Sequence, residues 1–127
     1  MTPGLQTYIS PALGTARLGI DMAQFAVQAP VREARRLQAS AITHHRYRGY
    51  HLVSIVGITF HGWPAASWTF WWKPLARPRI DVTEIIFTAK TSAGPQPYIL
   101  SMAAPAAHAA SASHVLRIAL RTFTPLS

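Results

Sequence analysis

The residues able to do chemistry are few. Carboxylates for acid–base work number four, Asp21, Glu33, Asp81 and Glu84. A general acid and base must converge on one substrate. Asp81 and Glu84 stand three apart in a segment that reads as a strand, where alternation sends them to opposite faces. Both are expected to be solvated or ion-paired surface. Of the six histidines, His44 and His45 are adjacent, with His51 and His61 further on. Neighbouring residues on a strand or loop do not converge on one ion, and no acid or cysteine accompanies them. His108 and His114, six apart on a helix, point about 240° away from each other. The chain has no cysteine, which excludes disulfides, thiolate metal sites and cysteine nucleophiles. No G-x-S-x-G turn presents a serine, and neither a P-loop nor a G-x-G-x-x-G cradle occurs. The sequence therefore predicts a protein that is not an enzyme, with no catalytic, cofactor-binding or metal-ligating residues.

Aromatic residues are the remaining candidates for contact. Trp63, Trp68, Trp71 and Trp72 crowd into ten residues. In a strand, Trp68, Phe70 and Trp72 share one side and Trp71 takes the other. The plain reading places one side in the core and the other under a helix or an interface. The functional reading makes Trp63 and Trp71 an exposed apolar patch that contacts a ligand or protein partner.

The charge balance points outward. Twelve Lys and Arg against four acids give a net charge of +8, which favours anionic partners such as polymers or lipid headgroups. The basic residues fall into three separate runs, Arg32–Arg35–Arg36, Arg46–Arg48 and Lys73–Arg77–Arg79, without the interleaved aromatics of a nucleic-acid-binding motif. No specific nucleic-acid recognition is expected. MTPGLQTYISPALG lacks the charged and apolar regions of a signal peptide.

The elements that must carry these residues follow from periodicity. The chain has room for one domain, with residues 1–14 as a flexible lead-in and 15–127 as the domain. Thr15–Asp21 reads as a short strand. Pro30 opens a helix through about Thr43, with Ala34, Leu37 and Ala41 on one face. Leu52 to Trp72 is uncharged and long enough for a membrane span, so a single-span membrane protein is one alternative. His61, Gly62 and Pro64 at its centre would break a helix. Its flanks are rich in β-branched and aromatic residues, which favours a hairpin turning at His61–Ala65. Arg79–Lys90 reads as a third long strand, Thr91–Pro97 as a loop and Tyr98–Met102 as a short strand. Pro105 opens a final helix with Ala112, Leu116, Ala119, Leu120 and Phe123 on its apolar face, ended by Pro125. The fold class is α+β: a twisted antiparallel sheet of about four to five strands with two helices packed on it, both on one face of a curved sheet.

Several short stretches resemble a known domain. His61-Gly62-Trp63-Pro64-Ala65-Ala66-Ser67-Trp68-Thr69-Phe70 is similar to a "G-x-x-A-A-x-W-x-F" strand. Arg17-Leu18-Gly19-Ile20-Asp21 resembles "R-x-L-x-I-D", and Gly49–Ile55 resembles "Y-R-x-x-x-I". Tyr98-Ile99-Leu100 resembles "G-Y-x-L", and Arg121–Pro125 resembles "x-T-F-x-P". These belong to the PsbP/LpqN-like domain at the extracytoplasmic C-terminal end of actinobacterial serine/threonine protein kinases and of related lipoproteins. The order is kept over roughly residues 15–125; Thr69 replaces an acidic residue frequent in the family. The resemblance implies a non-enzymatic binding or sensor-like domain, a detached copy of a kinase's extracytoplasmic domain rather than of its catalytic domain, placed extracytoplasmically. Without it, the absent signal peptide would predict a cytoplasmic protein. The alternative function is a basic protein binding anionic polymers or membrane surfaces.

Overall fold

The computed structural model describes residues 6–10, 16–22 and 29–122. Strands β1 (Gln6–Ser10) and β2 (Ala16–Met22) form an antiparallel pair. Helix α1 (Pro30–Thr43) follows, then the meander β3 (His51–Phe60), β4 (Trp63–Trp72), β5 (Ile80–Thr91) and β6 (Gly94–Pro105). A 3₁₀ turn at Ala106–His108 leads into helix α2 (Ala109–Thr122). The six strands make one antiparallel sheet in the order β1-β2-β6-β5-β4-β3. The fold is thus α+β, an antiparallel sheet carrying two helices, with one more strand than the upper expectation. The additional strand is Gln6–Ser10, within the stretch read as a lead-in. Residues 1–5 and 11–14 of that lead-in lie outside the described residues, as do Phe123 and Pro125.

The uncharged stretch 52–72 is the β3–β4 hairpin, and no helix among the described residues is long and apolar enough to cross a membrane. The turn is only His61–Gly62, shorter than the expected His61–Ala65. Both of its residues have positive φ, 51° and 79°, as a two-residue type I′ hairpin requires. The loop expected at Thr91–Pro97 shrinks likewise to Ser92–Ala93. Pro95 and Pro97 belong to β6, paired opposite Lys90 and Thr88. They share one parity of the ladder, so one hydrogen-bonding phase accommodates both missing N–H groups. Among the described residues, pairing of β6 with β2 begins only at Tyr98, beyond both prolines.

The helices cover opposite faces of the sheet rather than one. Alternation shows how. On the first face Ala66, Trp68, Phe70, Val82 and Ile86 pack with Ala34 and Ala41 of α1. On the second face Ala65, Ile85, Phe87, Leu100 and Met102 pack with Leu116 of α2, joined by Val115 and Leu120. The adjacent apolar residues Ile85, Ile86 and Phe87 are each nearly inaccessible, which is the pattern of a strand buried on both sides. Helix α1 is the crossover between β2 and β3, the far edge of the sheet; α2 folds back from the end of β6. The final helix begins at Ala109, four residues later than expected: Pro105 closes β6, and the 3₁₀ turn at Ala106–His108 intervenes.

Candidate functional site

Two regions bring together side chains that could meet a partner. The first lies where α1 ends over the first sheet face. The helix stops in a Schellman-type closure: Arg46 N–H donates to Ala41 C=O (3.0 Å) and His45 N–H to Ile42 C=O (3.1 Å). His45 holds the left-handed position that glycine normally takes, with φ of 50°. The closure turns the chain toward β3 and plants Tyr47 and Tyr50 over the sheet.

There they join an aromatic cluster. Tyr47 lies against Phe70 and Trp72, with ring centroids 4.8 and 5.6 Å apart. Tyr50 lies against Phe70 and Trp68, at 5.3 and 6.4 Å. Trp68 is 2% exposed and Phe70 fully buried, so the indole N–H needs an internal partner. It donates to the Tyr50 hydroxyl (3.0 Å), which in turn donates to Gln38 Oε1 on α1 (2.6 Å). This relay ties helix, loop and sheet together. Burial raises the Tyr50 pKa, and the hydrogen bond from Trp68 partly offsets the rise. Beside this cluster an open cavity of about 590 Å³ is lined by Ala41, Ile42, His45, Tyr47, Arg48 and Tyr50.

Glu84 is the unexpected member. It stands opposite Trp68 in the sheet, on the α1 face between Val82 and Ile86. Burial pushes its carboxyl up to about 7, against the opposing pull of Arg46. Tyr47 titrates higher than usual, first through burial and then through the charge of Glu84. Asp81 and Glu84 do lie on opposite faces, as alternation requires. Asp81 pairs with Arg79 (3.2 Å), as a surface carboxylate does; Glu84 is instead half-buried on the α1 face, where surface was expected for both. The sequence signal was its place at even spacing between Val82 and Ile86.

The second region is the rim where the α1–β3 and β4–β5 connections meet. Lys73 N–H donates to Arg48 C=O (2.8 Å), and Arg48 Nη1 donates to Lys73 C=O (3.3 Å). Gly49, with φ of 66°, lies close against Lys73. Two basic runs separate in sequence, Arg46–Arg48 and Lys73–Arg77–Arg79, thereby share one end of the sheet.

The expected pair Trp63 and Trp71 is divided. Both face the α2 side, at opposite ends of β4. Trp63 is half-buried, stacked parallel to Phe87 (6.2 Å) and packed into the second-face core. Trp71 is half-buried at the basic rim, stacked on His51 (4.8 Å) with the Arg79 guanidinium 5.0 Å from its ring centre. The two do not form one patch. Among the described residues no group of three or more His, Asp and Glu could hold a metal ion.

Comparison places this architecture. A Pseudomonas aeruginosa protein of unknown function superposes with a TM-score of 0.74 at 15% identity, over 100% of this chain and 86% of that one. LpqN of Mycobacterium tuberculosis, involved in cell envelope biogenesis, superposes with a TM-score of 0.53 at 11% identity, over 82% of this chain and 57% of its own. At these identities the likeness concerns the fold alone. No curated protein matches the sequence. Residues 4–125 match the family described as serine/threonine kinase C-terminal domain. With nearly its whole length so matched, and with the LpqN-like sheet it forms, the chain belongs to the serine/threonine kinase C-terminal domain family.

Proposed function

We propose that this domain is a non-enzymatic binding module whose ligand enters the cavity beside Tyr47 and Tyr50. The observation that carries the reading is the cavity itself, set where α1, the loop and the aromatic cluster are locked together by the Gln38–Tyr50–Trp68 relay. A mostly apolar recess with a few fixed polar groups suits a small ligand better than it suits a reaction. Arg48 and His45 on its wall favour ligands carrying an anionic group on a planar or aliphatic body. Membership in a kinase-associated domain family supports a sensing role, with occupancy of this cavity as the sensed event.

The test is protein-observed NMR with a library of small carboxylated and neutral fragments. Carboxylated fragments are expected to shift the amides of Ala41, Ile42, Tyr47, Gly49 and Tyr50 together, with Tyr50→Phe weakening the response. Shifts scattered over the surface, or none at millimolar fragment, would remove the cavity as a site. Turnover on a broad hydrolase panel would end the non-enzymatic reading.

A further inference from the structure

The basic rim carries something the cavity does not use. The β4–β5 connection runs Lys73-Pro74-Leu75-Ala76-Arg77-Pro78-Arg79 and turns tightly, with Arg77 N–H on Pro74 C=O (3.4 Å) and Ala76 at φ 57°. Its tip is Leu75, 74% exposed, between Lys73 and Arg77, which are also exposed. Arg48 and Lys73 clasp the neighbouring connection, bringing the exposed Arg46, Arg48, His44 and His45 alongside. Of the two acids near this end, Asp81 is paired to Arg79 and Glu84 is half-buried on the α1 face. Half-buried Trp71 stands on the same rim, and Leu52 and Val53 are exposed at the start of the adjacent strand.

We infer that this end of the sheet docks on an anionic lipid bilayer, with the cations at the headgroups and Leu75 inserted among them. Arg48 and His45 also line the cavity, but the loop from Lys73 to Arg79 with Leu75 at its tip does not, and it is this loop that the inference rests on. Charge alone would fit any polyanion, and a lone exposed leucine is ordinary on a protein surface; the distinguishing feature is a leucine at a protruding tip between two cations. A protruding apolar side chain among basic residues is what a membrane surface rewards, since apolar burial adds to electrostatic attraction. A nucleic acid would instead be met by exposed aromatic faces for its bases. The ring faces of Trp71 are engaged with His51 and Arg79.

The experiment is vesicle co-sedimentation of the whole chain with phosphatidylcholine vesicles, with and without added phosphatidylglycerol, whose negative surface potential attracts nearby cations. Binding is expected only to the anionic vesicles and to fall as salt rises. Arg77→Glu should weaken it about tenfold or more, given roughly fivefold per basic residue at the surface. Leu75→Ser, which leaves the charge unchanged, should weaken it about three- to tenfold through lost apolar burial. Arg117→Glu on α2 makes the same charge change at the other end of the sheet and should have little effect. Each of these positions is exposed, and unaltered melting of the variants checks that folding is preserved. Equal losses in Arg77→Glu and Arg117→Glu would reduce the effect to net charge and overturn the proposal. So would binding indifferent to Leu75→Ser, or tighter, Leu75-independent binding to a single-stranded DNA oligonucleotide.

Discussion

Glu84 shows how one side chain can set the pH response of the fold. Its carboxyl, raised from 4.5 to about 7 by burial, prefers to be neutral in the folded chain and ionises freely when unfolded. Between these two values the folded state holds more protons, so stability falls as pH rises from about 4.5 to about 7 and then levels. The expected loss is on the order of 3 kcal/mol. Glu84→Gln removes the titration. Its melting temperature is expected to exceed that of the natural chain at pH 8 and to change less between pH 5 and pH 8. Parallel pH profiles for the two proteins would refute this assignment. At this scale the sequence was a partial guide. It separated Asp81 from Glu84 and put Trp68, Phe70 and Trp72 on one side, because alternation is local. It could not say that Trp63 is packed under α2 while Trp71 stays at the rim, since that depends on where a distant helix lands.

Among the elements, the β3–β4 hairpin has the tightest requirement. Its two turn residues both have positive φ, and Gly62 at 79° faces open space. Gly62→Ala therefore adds backbone strain without a clash and is expected to cost about 1–2 kcal/mol, read as a shift in the urea midpoint with unchanged slope. A midpoint equal to that of the natural chain would mean the turn relaxes to another type. The helix at Pro30–Thr43 agrees with its sequence signals at both ends, because Pro30 and the apolar spacing are local information. Thr91–Pro97 is read as a loop for an equally local reason, its Gly and Pro content. The structure overrides that signal by setting both prolines at the same parity of β6, opposite Lys90 and Thr88. Opposite-face packing was legible in principle: Ile85-Ile86-Phe87 and Tyr98-Ile99-Leu100 offer apolar residues to both faces, which one-sided helices would leave half uncovered.

At the scale of the whole molecule, the sheet ends on β3, an edge strand ten residues long that carries no Lys, Arg, Asp, Glu or Pro. Val56 on this strand is 48% exposed. Such an edge offers unpaired backbone groups to other chains. Val56→Lys is expected to leave the melting temperature nearly unchanged and to lower light scattering during a thermal ramp; unchanged scattering would show that the edge plays no part in association. The opposite side of the sheet has a different consequence. The meander from β3 to β6 joins only neighbours in sequence, closing through short turns. By contrast, Leu18 of β2 must find Met102 of β6, across about two-thirds of the chain. The entropy of closing so large a loop is recovered only after β6 exists as a template. The β1–β2 pair, which precedes the meander in sequence, thus has to wait until β6 has been made before it can dock, so during synthesis these two strands remain in search of a partner while the rest of the sheet is assembled.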